Sequence, residues 1–455
     1  MWGSWTRIVR WLLPIALMLA GCASPQKFAL DDISSLTQLS SEEVGFRGLE
    51  RVADKVTDAI TPRVNVVYLH GIGWTEDPEN EALGQDFLSN VARAYGLERA
   101  PNADGKCLRD TDAPVIKRDG LLYIEAAEPL RFETVIPGTF LEMERLACVD
   151  RNIIRVSDTL EIALYRIFWD EAFWEGLQSP HVGQDDFLGD TSLSMLRRKF
   201  NRQLKDEIVN YGFSDAVMYL GPTGGTIREA VRGAVCAAAL DAGGYGFREQ
   251  GPTTTPEAAC RLVNNTTIES NAFTFISESL GSKIVFDIFR SSLTDGRDDA
   301  LDGIMAGSEV YMLANQLPLL SLSDVASGTE RTASPLSPEE RPVFIGLSEV
   351  NDFLTYEVVP FLRQLWDNSE HQDSRTFDTP GVRDEIARRL GFDFIDLRMR
   401  FADPLIPLVS AFVDPEQAHQ THTVEPELIE ILLCGIENGV LRTDGCLAHQ
   451  IEDTR

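Results

Sequence analysis

Short runs of β-branched and aromatic residues, each stopping at a turn-forming cluster, constrain this chain more than any other feature of its sequence. They occupy residues 64–69, 162–169, 272–276, 310–313, 343–347 and 406–413. Strands that are apolar on both faces have no face to offer water, so they pack with helices above and below. Leu280, Ile284, Val285, Ile288 and Phe289 follow one such run at the spacing of a single helix face. Buried strands alternating with helices predict an α/β fold, a mostly parallel sheet covered on both sides. With 44% hydrophobic residues the chain can bury a large core. The pattern reads as one elaborated domain over residues 61–455, with a helical insert at about 170–270 in the position of a cap. Within that insert Leu196, Phe200, Leu204 and Ile208 form an apolar stripe, and a second, alanine-rich helix covers 226–242. Residues 323–341 read as a loop.

Ahead of the domain, residues 1–21 read as a targeting segment. Arg7 and Arg10 precede an apolar run over 11–19, shorter than the roughly 20 residues a membrane span needs. The run ends in Leu19-Ala20-Gly21-Cys22, which resembles the lipobox of bacterial lipoproteins. The resemblance implies cleavage before Cys22, acyl chains on its thiol and amino group, and anchoring in the cell envelope by several chains together. With Ala23 rather than Asp in the next position, it also implies the outer membrane, facing the periplasm or the cell surface. Residues 22–60 then read as a tether and N-terminal segment. Setting Cys22 aside, the remaining six of the 7 cysteines fall into three local pairs, Cys107 with Cys148, Cys236 with Cys260 and Cys434 with Cys446. Local disulfides suit an oxidising compartment, and six buried thiols are the competing reading.

A balance of 71 acidic against 41 basic residues excludes a typical nucleic-acid binder, which needs a basic face to release counterions. Arg197, Arg198, Lys199, Arg202 and Lys205 make a basic patch, read as a solvated helix face or as a surface for anionic lipid headgroups beside the anchor. Nothing in the sequence identifies a protein partner.

The run over 272–276 leads into Ser277-Glu278-Ser279-Leu280-Gly281 and then the helical stripe. A strand, a small-x-Ser-x-Gly turn and a helix form a nucleophile elbow: the sharp turn exposes the serine, and the small flanking residues avoid clashes. The pattern resembles the α/β-hydrolase superfamily over most of residues 62–440, with Ser277 in place of the usual Gly and Glu278 before the nucleophile. A carboxylate there is placed to act on an imidazole or on substrate. The resemblance implies the chain order Ser, then Asp or Glu, then His. Asp352, after the run over 343–347, is the chosen acid, with Glu349 and Asp324 in reserve. His419 is the chosen base because in similar hydrolases an Ala-His pair sits several residues before the Pro that opens the last helix, as Ala418-His419 does before Pro426 here, with His422 the alternative. Thr423 is expected to cap that helix.

The oxyanion hole then takes the backbone N–H of Leu280 and one from the loop His70-Gly71-Ile72-Gly73, at Gly71 or Ile72. These assignments imply a lipid-anchored esterase or lipase-like hydrolase acting on an ester-type or lipid substrate, with no metal or organic cofactor. The histidine pair lacks the spacing and glutamate of a zinc hydrolase helix. Gly221-Pro222-Thr223-Gly224-Gly225 opens a helix without the Lys-Ser/Thr of a phosphate loop. Tyr165, Phe168, Trp169, Phe173 and Trp174 read as core or as an acyl pocket. The competing function is a binding or scaffolding lipoprotein that keeps such a fold without its chemistry.

Overall fold

The computed structural model describes residues 36–39, 45–52, 63–71, 85–97, 120–133, 136–157, 160–169, 173, 213–263, 272–295, 299–324, 336–369, 375–400, 404–406, 409–413, 419, 422 and 425–448. In chain order the strands are β1 (Leu36–Gln38), β2 (Phe46–Arg47), β3 (Arg63–Leu69), β4 (Leu121–Glu133), β5 (Phe140–Ser157), β6 (Leu160–Phe168), β7 (Thr253–Thr254) and β8 (Ala272–Glu278). They continue with β9 (Glu309–Leu313), β10 (Val343–Glu349), β11 (Asp393–Met399), β12 (Pro404–Ile406), β13 (Val409–Val413), β14 (Gly435–Glu437) and β15 (Val440–Leu441). Ten of them form one mixed sheet, ordered β1-β11-β10-β9-β8-β3-β6-β5-β4-β7. From β6 through β3, β8, β9 and β10 to β11 every neighbouring pair is parallel, so the fold is α/β on a large, mostly parallel sheet.

The longer helices are α1 (Gln85–Ala94), α2 (Ser214–Leu220), α3 (Gly224–Ala242), α4 (Pro256–Leu262), α5 (Leu280–Asp295), α6 (Asp299–Met305), α7 (Val358–Asn368), α8 (Val382–Leu390) and α9 (Pro426–Cys434). Strand alternation divides the core between the two sheet faces. On β3, Val67 and Leu69 join a cluster with Ile227 and Val231 of α3 and Ile284 and Phe289 of α5. Val66 and Tyr68 join a second cluster with Phe87 of α1 and Leu428 and Leu432 of α9.

Several elements differ from the sequence reading. The long antiparallel strands β4 and β5 are not among the expected runs, because their outer halves alternate with exposed charged residues and carry no apolar run. Strand β11 is hidden by Asp393 and Asp396, both buried. Conversely, the run over 406–413 is not the last strand of the main sheet. It contributes instead to the separate antiparallel hairpin of β12 and β13, with residues 407–408 outside the described residues.

The segment 22–60 is more than a tether, since β1 extends the main sheet beside β11 and the helical turn Leu49–Val52 is buried in the second core. The helix expected at 226–242 begins at Gly224 and lies in the layer covering the sheet, not above its edge as a cap. Its alanines allow close approach, and thirteen of its residues are buried. The stripe of Leu196, Phe200, Leu204 and Ile208 and the basic patch lie outside the described residues.

Disulfides join Cys236 of α3 to Cys260 of α4, and Cys434 of α9 to Cys446. Of the third expected pair, Cys107 lies outside the described residues.

Asp396 on β11 accepts hydrogen bonds from the Val358 and Val359 N–H groups at the start of α7, at 3.0 and 2.6 Å. Burial pushes its carboxyl up to about 7, and nearby Glu357 adds to that, against the two N–H donors and Arg398. A carboxyl raised from 3.8 is tighter for its proton in the folded chain than in the unfolded one. Its contribution to stability is therefore fully present below about 4 and is lost as the pH climbs toward 7. Urea midpoints of wild type and Asp396→Asn, compared across that window, should diverge: the wild type loses stability relative to the variant as the pH rises. Parallel curves would contradict the assignment.

Candidate active site

Strand β8 ends at Glu278, and the chain turns directly into α5 at Leu280. At the turn, Ser279 has φ 49°, in the left-handed region that L-residues other than glycine avoid. The strain is held from both sides: the Ser279 N–H donates to the Leu313 carbonyl of β9 at 2.9 Å, and its own carbonyl accepts from the Ser282 N–H at 3.1 Å. A Cβ on Gly281 would lie 2.7 Å from the carbonyl oxygens of both Leu69 and His70, so only glycine lets α5 pass the end of β3. Ser277 fits without its expected glycine because its hydroxyl is buried against the Tyr311 carbonyl at 3.2 Å and Ser282 Oγ at 3.3 Å.

Two other segments reach this turn. Beyond β10, Asp352 is held by the Leu354 N–H, 2.9 Å from Oδ1, and by the Thr355 hydroxyl on Oδ2. His419 lies between β13 and α9, with Nδ1 2.7 Å from Asp352 Oδ2 and Nε2 3.1 Å from Ser279 Oγ. Ser279 and Asp352 are buried, whereas His419 keeps 18% of its side-chain surface exposed. Burial by itself pushes the Asp352 carboxyl up, but the His419 hydrogen bond and charge, with Thr355 and the Leu354 N–H, outweigh it. The net effect holds the carboxyl below its ordinary value.

His422 does not join this chain of contacts. Its Nδ1 donates to the His419 carbonyl at 3.1 Å, and the ring is buried. Burial first, then the charge of His419, lower it to about 4, so at neutral pH it is an uncharged prop beneath the His419 backbone. The reserve acids are elsewhere. Glu349 is the last residue of β10, turned inward to accept from the Asn351 N–H and side-chain amide at 3.0 and 2.6 Å. Asp324 lies 2.9 Å from Nζ of the buried Lys283, one turn along α5, which also pairs with Asp287. Tyr219 of α2 donates to the other Asp287 oxygen at 2.6 Å, so this buried cluster ties α2, α5 and residues 321–324 together.

Gly71 stands directly over Ser279, where an added Cβ would fall 2.6 Å from Ser279 Cβ. The loop that carries Gly71 is braced by Trp169, whose Nε1–H donates to the His70 carbonyl at 3.3 Å and whose ring stacks on the His70 ring. Trp169, Tyr165 and Phe173 are fully buried and belong to the core, while Trp174 and Ile72 lie outside the described residues. Leu280 is buried at the first position of α5, where helix N–H groups have no partner within the helix. The N-cap position of the last helix is Glu425, not Thr423, and its side chain makes no capping bond; Pro426 follows in the first turn. Among the described residues no cluster of histidine, cysteine or acidic side chains could hold a metal ion, and no helix is long and apolar enough to cross a membrane.

The sequence reading passed over the supports of this site. Trp169 beneath the His70 loop and Thr355 behind Asp352 carry no sequence signal, since each acts through a contact between distant segments. Comparison with known proteins finds no matching family model, no matching curated protein and no matching solved structure.

Proposed function

We propose that this chain is a serine hydrolase of α/β-hydrolase type that cleaves ester-type acyl bonds. The observation that carries the reading is the unbroken path from Asp352 through His419 to Ser279, at 2.7 and 3.1 Å, meeting a serine at φ 49°. In a neutral imidazole with its proton on Nδ1, shared with Asp352, Nε2 is the acceptor that faces the serine hydroxyl. His419 takes the Ser279 proton as Oγ attacks the acyl carbon, and Asp352 stabilises the imidazolium. The negative oxygen of the tetrahedral intermediate is met by the Leu280 N–H at the start of α5, together with an N–H of the Gly71 loop. His419 returns the proton to the leaving alcohol, and water repeats the sequence to free the acid and regenerate Ser279.

A fluorophosphonate probe tests this, because only an activated serine reacts with it. The expected result is one covalent adduct, mapped by peptide mass to Ser279. A folded chain that takes no label favours the competing binding role.

The anchor belongs to the same proposal. Cys22 lies outside the described residues, and its support is the lipobox resemblance. Expressed in a Gram-negative host, the wild type should incorporate labelled palmitate and sediment with membranes, and Cys22→Ser should do neither. Equal incorporation by both would remove the lipoprotein reading.

A further inference from the structure

Strand β1 is antiparallel to β11, and its first residue, Leu36, lies opposite Leu397, two residues before the end of β11. Leu397 is level with Leu347 of β10, Leu347 with Leu313 of β9, and Leu313 with Glu278 of β8. One row across the sheet therefore joins the start of β1 to the residue before Ser279. It crosses four strand spacings, about 19 Å. Strands β8 to β11 all run toward the edge that carries Ser279 and Asp352, so the chain enters β1 from that same edge.

The covalent reach from Cys22 to this entry point is short. Thirteen residues, 23–35, separate Cys22 from Leu36, and even fully extended the connection spans roughly 50 Å at most. A domain of this length is itself roughly 50 Å across. An anchor at Cys22 thus holds the catalytic edge near a bilayer with length to spare, whereas turning the opposite edge to the bilayer would use the whole reach. The two edges also differ in chemistry. The loop between β10 and α7 that carries Asp352 presents Val350, Phe353 and Tyr356, which are 39%, 55% and 40% exposed. At the opposite edge the strands begin in paired charges: Arg63 of β3 with Glu161 of β6 at 2.9 Å, and Glu309 of β9 with Arg47 at 2.6 Å. Exposed apolar side chains gain from entering a lipid interface, and ion pairs do not.

We infer that the catalytic edge faces the bilayer that holds the anchor, with Val350, Phe353 and Tyr356 against the lipid, and that the substrates are acyl esters resident in that bilayer. The inference rests on the hydrolase and anchor readings above. Its test places the lipidated full chain in phosphatidylcholine vesicles, with Ser279 labelled by a fluorophosphonate that carries an energy-transfer donor and with the acceptor on lipid headgroups. The donor should lie within about half the width of the domain from the headgroups, roughly 25 Å. A larger separation overturns the inference and leaves the hydrolase and anchor readings intact. On unlabelled protein, Phe353→Asp should lower turnover of umbelliferyl oleate dissolved in the same vesicles by roughly tenfold, and leave water-soluble umbelliferyl acetate within about twofold of wild type. Equal losses on both esters, no loss on either, or a wild type confined to the soluble ester also overturns the inference. The energy-transfer measurement needs no variant, so it decides should Phe353→Asp not fold. A chain that takes no fluorophosphonate label, or no lipid at Cys22, overturns the inference together with the reading on which it stands.

Discussion

Ser279→Ala should lower ester hydrolysis by a factor on the order of 10⁵ and abolish the fluorophosphonate adduct, while the urea midpoint barely moves. The two halves of this expectation have separate origins. Losing Oγ removes the hydroxyl that lies 3.1 Å from His419 Nε2. The backbone bonds that hold the turn, from the Ser279 N–H to Leu313 and from Ser282 to the Ser279 carbonyl, do not involve the side chain. Alanine also tolerates φ 49° about as poorly as serine, so the strain is unchanged. Residual turnover within tenfold of wild type, in protein free of a contaminating esterase, would remove Ser279 from the mechanism.

Asp352→Asn is the second large effect, a fall of about 10⁴-fold in kcat at neutral pH. An amide can turn its NH₂ toward His419 Nδ1, which moves the ring proton to Nε2. The nitrogen facing Ser279 Oγ then donates where it must accept. The Leu354 N–H contact can persist through the amide oxygen at the Oδ1 position, while the Thr355 hydroxyl, which donates to Oδ2 in the wild type, must turn to accept from the NH₂ placed there. Removal of the acid also removes a carboxyl held below its ordinary value. The stability it contributes is present above about 4 and is lost in the wild type as the pH falls through its lowered value. Wild type and variant should thus converge in urea midpoint toward acid pH. A loss of activity under tenfold would mean that another group orients His419. Glu349 is the nearest reserve in sequence, but its Oε1 is turned to the Asn351 N–H and side-chain amide rather than to His419.

What could be read from the chain and what could not divides along the distance over which each feature is determined. The elbow is local. Ser277, Ser279 and Gly281 lie within five residues, and the clash that Gly281 avoids comes from packing a helix directly against the preceding strands. The parallel core strands are local too, since a run apolar on both faces fits few other environments. By contrast, β11 carries two buried aspartates, and Asp396 is tolerated only because the start of α7 brings N–H groups to it. The run over 406–413 was misleading because apolar character does not report which partner a strand pairs with, and β13 pairs with β12 in a sheet of its own. The alanine-rich helix resembles an insert in sequence, and only the surface it meets makes it part of the core layer.

By itself, therefore, the sequence determined the α/β class, the elbow serine and a short set of acids and histidines that follow it in order. Tertiary structure alone decided among the members of that set: it turned Asp324 toward Lys283, buried His422 as a neutral prop, and aimed Asp352 and His419 along one line to Ser279. The reason is physical. Strand and helix propensities act over a few residues, whereas a proton path depends on contacts of about 3 Å between segments far apart in sequence, which exist only once the sheet has brought those segments to one edge.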